Sequence, residues 1–360
     1  MLRNWIRQTY WPLVGAFFGL LLIGSLFIYS AALHDSGNYL SRHVVWGMAA
    51  MVFLLAMPFI GYRTFLGISY LLYAISIVLL LLVLILGEAH LGAQRWLYFG
   101  PIVVQPSEFA KLATVLAAAN YLGSRQPFEG QWRTILTLAV MVFTPFILIV
   151  KQPDLGSALL FIPIAVISLF LWGMRLRILV TSLLGGIVAA PFAWHVLKDY
   201  QKQRIMVFLN PSKDPLGSGY TAIQSKIAVG SGGLFGKGYL QGSQSQLQFV
   251  PEHHTDFIFC VIGEEWGFVG ALILLGLYGV LFKSAFDIMS QTTDPKAKLL
   301  IGGVLAVMFS QVFINIGMTF GLMPITGLTL PLISYGGSSL VATSIALGLV
   351  LSIYRERSIF

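Results

Sequence analysis

Long apolar runs broken by short polar segments set the pattern of this chain. A helix needs about 20 apolar residues to cross the hydrocarbon core of a bilayer. Runs of that kind fall at roughly 11–33, 44–60, 67–87, 107–122, 134–150, 156–173, 178–197, 254–282, 299–323 and 336–354. The pattern predicts an all-α polytopic membrane protein of about ten transmembrane helices, one integral domain over 1–360. Very short turns separate the fifth to seventh spans, whereas a long polar loop, about 198–253, joins the seventh to the eighth. The run at 11–33 is too long for the apolar core of a cleaved signal peptide, and no A-x-A-like site follows it, so it reads as the first retained span. There is no heptad run, low-complexity linker or convincing internal repeat of the transporter kind.

Composition agrees with the pattern. Apolar residues make up 57% of the chain and charged residues 10%, against about a quarter charged in a soluble domain. A single cysteine, Cys260, excludes an internal disulfide. The net charge of +8 first suggests nucleic acid, but its distribution points elsewhere. With the N-terminus in the cytoplasm, Arg3, Arg7, Arg63, Arg125, Arg133, Arg175, Arg177, Lys283, Lys296, Lys298, Arg355 and Arg357 all fall on inner segments. Only Arg42, Arg95 and Lys151 fall on the short outer loops. That asymmetry is a topology signal; it places both termini inside and the long loop outside, and leaves no nucleic-acid stripe.

Four polar places stand out. The first joins Gln94-Arg95-Trp96 to Gln105-Pro106-Ser107-Glu108-Phe109-Ala110-Lys111. Glu108 and Lys111 share a helix face and can pair, either as a structural ion pair or as the lining of a polar cavity. The second is Lys151-Gln152-Pro153-Asp154-Leu155-Gly156, where Asp154 reads as a helix cap that also lies on the side of the long loop. The third is the loop itself, turn-dense and glycine-rich around Lys237. Its backbone could cradle a phosphate, but Ser231 and Gly238 break the P-loop spacing and Phe235 breaks G-x-G-x-x-G. Gln224, Lys226, Gln241, Ser243, Gln244 and Ser245 in the same loop suit a hydroxyl-reading surface.

The fourth is FVPEHHTDFIFCVIGEEWG, 249–267, where the long loop meets the eighth apolar run. Glu252, His253, His254 and Asp256 crowd together there, without H-E-x-x-H, so transient divalent-cation binding fits better than a structural zinc site. Neither S-x-x-K nor G-x-S-x-G supports a serine nucleophile. Asp256, at the outer mouth of that run, suits a general base with a pKa raised by desolvation and lowered by a nearby cation such as Lys111. It suits an N-cap or first-turn acid equally well. Glu264 and Glu265 lie about two helical turns further along and read as structural or cytoplasm-directed groups.

The segment 315–339, NIGMTFGLMPITGLTLPLISYGGSS, resembles the signature of the SEDS family (shape, elongation, division and sporulation) through Asn315, Gly321, Pro324, Gly327, Ser334, Gly336, Gly337 and Ser338. The stretch 214–259 is similar to the elongation branch more than to the division branch, and the likeness extends to QRW at 94–96, QPSEFAKL at 105–112 and KQPDLG at 151–156. The resemblance implies a ten-span peptidoglycan glycosyltransferase in the bacterial cytoplasmic membrane that polymerises lipid II on the outer face, with a class B penicillin-binding protein as partner. It implies Asp256 as the essential carboxylate, Glu108 and Lys111 as supporting charges, and Trp96 and Asp154 as sensitive positions. Attack by the acceptor hydroxyl leaves a polyprenyl pyrophosphate, to be stabilised by Lys111, Arg95, Arg204 or a divalent cation, magnesium or manganese. Arg204, Gln224, Lys226, Lys237 and Ser334 are the candidate substrate contacts. Intramembrane charges alone suit two other readings, a flippase for a lipid-linked precursor and a non-catalytic scaffold for the partner synthase.

Overall fold

The computed structural model describes residues 9–33, 37–90, 93–100, 102–127, 131–193, 195, 199–214 and 217–357; Arg3 and Arg7 of the charge argument lie outside them. In chain order the elements are α1 (Trp11–Ala31), α2 (Tyr39–Ile60), α3 (Tyr62–Gly67), α4 (Ser69–Leu86), β1 (Glu88–His90), β2 (Ala93–Phe99), β3 (Ile102–Val104), α5 (Pro106–Gly123), α6 (Gln131–Lys151), α7 (Leu155–Leu159), α8 (Phe161–Trp172), α9 (Leu176–Ala193), α10 (Asp199–Leu209), α11 (Ser218–Ser231), α12 (Ser243–Gln246), α13 (Ile258–Glu265), α14 (Gly267–Gln291), α15 (Pro295–Thr319) and α16 (Gly337–Arg357). Among the described residues, eight helical stretches are long and apolar enough to cross a membrane: α1, α2, α4, α6, α7–α8, α14, α15 and α16. The polytopic, predominantly helical architecture is as the apolar runs predict. Two further 18-residue helices, α5 and α9, lie at the predicted fourth and seventh positions. Helix α5 carries Glu108 and Lys111 and is buried on nearly every face, against α4, α15 and α16. An interior helix does not need a lipid-facing composition, which explains its modest apolarity.

Local chemistry fixes the ends. Proline opens α1, α5 and α15, where a missing N–H costs nothing. Asp294 caps α15 by accepting from Lys296 N at 2.9 Å. Side-chain contacts then define two opposite ends of the bundle. At one, Tyr10 donates to Asp287, Tyr62 to Asp294, and Arg63 pairs with Glu356. At the other, the C-terminal end of α1 meets the long loop: Tyr239 Oη donates to Leu26 O at 2.9 Å and Gln246 Nε2 to Ser30 O at 3.1 Å. The candidate catalytic residues gather at this second end.

Three departures from the predicted pattern shape that end. First, β1, β2 and β3 form a small antiparallel sheet in that order, between α4 and α5. Second, the long polar segment is folded, carrying α10, α11 and α12. Third, the eighth apolar run does not begin at 254. The fully buried α13 ends at Glu265, with Trp266 as its C-cap, and α14 starts only at Gly267, whose φ of +62° turns the chain. A side chain at Gly267 would collide with the backbone of Gly232, Gly233 and Gly236, so the break needs glycine twice over. Of the two readings for Glu264 and Glu265, the break favours the structural one over the cytoplasm-directed one. Ser30, at the end of α1, donates to Glu265, and the neighbouring Ala31 carbonyl meets His253 Nε2 at 2.8 Å. Helix α13 therefore crosses this end of the bundle and does not descend through it. Both glutamates are structural, and neither points toward the opposite end.

Candidate active site

Asp256 occupies the turn just before α13. The residue at that helix's N-cap is Phe257, and no side chain caps it, so the Asp256 carboxyl is not engaged in capping. The main chain around it is clamped by Asn315 of α15 and by the segment that follows that helix. Asn315 Nδ2 donates to Asp256 O at 2.8 Å and to Leu328 O at 2.6 Å. Ser334 Oγ donates to Thr255 O at 2.6 Å and accepts from Leu330 N at 2.8 Å, and Tyr335 N donates to His254 O at 3.1 Å. Three of these hydrogen bonds hold the loop that presents the carboxylate, and the other two brace the clamp. Ser334 is itself buried and fully engaged, which gives it a positioning role and removes it from the candidate substrate contacts.

Across from the carboxyl stands Arg95 on β2. Gly327 lies between them with φ +74°, and a methyl group built on it would sit 3.4 Å from Asp256 Oδ2 and 3.6 Å from Arg95 Nη1. The bare glycine therefore leaves a methyl-sized gap bordered by an acid and a cation. Arg95 is aimed by Nη2 donating to Pro153 O at 2.8 Å and by Asp154, whose Oδ2 lies 3.9 Å from its Nε. Asp154 also accepts from Ser157 N at 3.2 Å and caps α7, so both readings of that residue hold. Burial above all, with Glu252 and Asp154, pushes the Asp256 carboxyl from its ordinary 3.8 up to about 7 against the opposing pull of Arg95 and Arg204. The cations acting on Asp256 are thus the two arginines and not Lys111.

Substituting Gly327→Ala should separate the site from the fold. The methyl fits at ordinary contact distance, at a cost of about 1 kcal/mol for the left-handed backbone, but fills the gap between base and cation. Activity is expected to fall at least ten-fold while the unfolding midpoint moves by only a few degrees. Parallel turnover and thermal-melt measurements check this.

The remaining predicted residues divide. Glu108 and Lys111 pair at 2.7 Å, both buried, and line a partly open pocket among α5, α15 and α16. None of its lining residues is Arg95, Asp154 or Asp256. Trp96 is partly buried on β2 and, by strand alternation, points to the face opposite Arg95. Lys237 is bound to Glu264 at 2.7 Å, and Glu264 also accepts from Gln244 N, Ser245 N and the Ser245 hydroxyl. The glycine-rich loop thus docks on α13, with Lys237 N and Gly238 N donating to Glu264 O and Glu265 O. A buried carboxylate, not a phosphate, takes up that lysine. Arg204 and Lys226 share a cleft, whereas Gln224 faces another side of α11 and does not line it. His253 presents both ring nitrogens to carbonyls, Val250 O and Ala31 O. Among the described residues no group of three or more His, Cys, Asp and Glu could hold a metal ion.

Comparison with known proteins gives one consistent result. The profile of the FtsW/RodA/SpoVE family, described as cell cycle protein, matches residues 8–359. The chain is 40% identical to the peptidoglycan glycosyltransferase MrdB of Escherichia coli K12, over 99% of its own length and 98% of that relative. It superposes with a TM-score of 0.83 and 38% identity on a chain from a peptidoglycan synthase complex solved to explain how polymerisation and crosslinking are coordinated, covering 96% of this chain and 98% of the other. The crystal structure of the Thermus thermophilus rod shape determining protein RodA matches with a TM-score of 0.72 and 33% identity, over 96% and 97% of the two chains.

Proposed function

This chain belongs to the FtsW/RodA/SpoVE family of cell cycle proteins, and we propose that it is a peptidoglycan glycosyltransferase polymerising lipid II, with Asp256 as its general base. One observation carries the chemical part: a carboxyl with a pKa near 7 faces an arginine across the gap at Gly327. A base poised near neutral pH has the protonation balance that general-base catalysis requires. In the proposed step the acceptor 4-hydroxyl oxygen bonds to the anomeric carbon of the donor. The bond from that carbon to the diphosphate oxygen breaks, its electron pair leaves with the polyprenyl diphosphate, and the hydroxyl proton passes to Asp256. Attack from the opposite face inverts an α-linked donor to a β-1,4 link. Arg95, held by Asp154 and Pro153 O, supplies fixed positive charge beside the reacting atoms.

The same reading completes the topology. Helices α5 and α9 join the eight apolar ones to make ten spans, both termini are cytoplasmic, and the Asp256 end faces outward. The superposition on a chain of a synthase complex supports a class B penicillin-binding protein as partner.

The test uses protein reconstituted with its partner synthase and fluorescent lipid II. Glycan strands support the enzyme; movement of lipid II across the bilayer without polymer favours a flippase, and neither outcome leaves a scaffold. The pH profile adds a sharper check. The base form of Asp256 exists above its pKa, so turnover should rise with pH through about 7. Asp154→Asn keeps the helix cap but removes an anion that raises the Asp256 pKa. Its rising limb is expected to move toward lower pH, with a lower plateau because Arg95 is less firmly aimed.

A further inference from the structure

At the bundle end opposite Asp256 the charge divides into two unlike halves. Around α1, α3, α15 and α16 the acids are engaged: Tyr10 holds Asp287, Tyr62 holds Asp294, and Arg63 pairs with Glu356. The other half, where α5 and α8 end and α6 and α9 begin, is basic. Its connecting segments, 124–133 and 173–177, carry Arg125, Arg133, Arg175 and Arg177 against one acid, Glu129. All four arginines are exposed, and among the described residues no ion pair involves any of them. The two segments touch: Trp172 Nε1 donates to Arg125 O at 3.3 Å, and a methyl group built on Gly173 would meet Pro127 at 3.5 Å. The Arg125 guanidinium is steadied over the Tyr121 ring, 4.4 Å from its centroid. Arg133 and Arg177 stand in the first turns of α6 and α9, which hold no acid. A cation there opposes the positive dipole end of its own helix, and a bound anion satisfies both.

Apolar stripes lead away from the arginines. Trp132, beside Arg133, is 83% exposed, and Leu136, Val140 and Phe143 continue outward-facing along the membrane-spanning α6 at helical spacing. Leu176, Val180 and Leu184 do the same on α9, and α8 packs against both helices. An exposed tryptophan at the head of such a stripe suits the boundary between headgroups and hydrocarbon. Positive charge that only orients a chain needs to lie on one side of the membrane; it needs neither clustering nor a guanidinium braced on a ring. A free phosphate would not need the stripes, and a neutral lipid would not need the arginines. We propose that this patch binds an anionic phospholipid, its phosphate held by Arg125, Arg175 and Arg177, with Arg133 and Trp132 at the edge and the acyl chains along α6 and α9. Basic pockets between membrane helices recognise acidic headgroups in this way. The inference rests on the polymerase reading only for the leaflet, which in that orientation is the inner one.

Native mass spectrometry of the full-length protein in neutral detergent, supplied with equal amounts of phosphatidylglycerol and phosphatidylcholine, tests the proposal. Wild type should retain phosphatidylglycerol preferentially. Arg125→Gln, Arg175→Gln and Arg177→Gln should each lower that retention about five-fold, and the triple variant about a hundred-fold. The bond from Trp172 uses only the Arg125 carbonyl, so the triple variant should melt as wild type does. Lys298→Gln removes an exposed charge from the mixed half of the same end and should change nothing. Glycerophosphoglycerol, the headgroup without its chains, should not displace the lipid. Unchanged retention in the triple variant, an equal loss in Lys298→Gln, or displacement by the headgroup alone would overturn the site. Retention is read without substrate, so the two readings fail separately. Protein that makes no glycan but loses phosphatidylglycerol in the triple variant refutes the polymerase and keeps the lipid site. Active protein whose retention ignores the arginines does the reverse.

Discussion

Asp256→Asn is expected to leave lipid II binding close to wild type and to cut polymerisation about a thousand-fold, within the usual span of a general base. The amide is nearly isosteric but cannot accept the acceptor's proton at neutral pH. The bonds that shape the loop use main-chain atoms, Asp256 O and Thr255 O, so the clamp from Asn315 and Ser334 survives the substitution. A folded, substrate-binding, inactive protein is therefore the predicted state, and melting temperature, lipid II affinity and gel-resolved glycan product measure its three parts separately. Asp256→Glu keeps the base but lengthens it by one methylene into the gap at Gly327. It should retain a small fraction of activity that Asn lacks. Normal polymerisation by the Asn variant would remove Asp256 from the chemistry, whatever the family relationship.

The apolar runs made the helices legible because a lipid-facing helix must carry its burial signal on nearly every residue. The same reasoning failed at 254–267. Residues 258–265 are as apolar as a span because protein, not lipid, surrounds them, and composition does not distinguish the two environments. Only Gly267, among many glycines, marks the break. Lys237 is ambiguous in sequence for a related reason: a glycine-rich loop with a lysine offers the same donors to a phosphate and to a buried carboxylate. The partner that decides the matter, Glu264, is 27 residues away. Asp256 was legible as an acid at a boundary, but its separation from a capping role depended on the backbone of Phe257. Arg95 carried a sequence signal through the QRW motif. The gap that joins it to Asp256 comes from Gly327, more than 200 positions away, where only the tertiary fold brings them together.

Glu108 and Lys111 give the second large effect, and it separates two roles that the sequence left equal. Each side chain is almost fully buried and their charges meet at 2.7 Å. Lys111→Met alone strands the Glu108 carboxylate, and Glu108→Leu alone strands the ammonium. Each should cost about 3–5 kcal/mol, the loss typical when one partner of a buried pair is removed. The double replacement Glu108→Leu/Lys111→Met removes both charges at similar volume and should return stability to within about 1 kcal/mol of wild type. Unfolding titrations in mixed micelles would show this as non-additivity between adjacent sites. Polymerisation is expected to remain at least ten-fold down in the double variant. An apolar pair would serve the helix packing equally well, whereas the ion pair, with Gln311 and Thr343, puts polar groups into a pocket otherwise lined by apolar side chains. Recovery of full activity with stability would instead assign the pair to the fold alone, and would confine the chemistry to the Asp256, Arg95 and Asp154 end of the bundle.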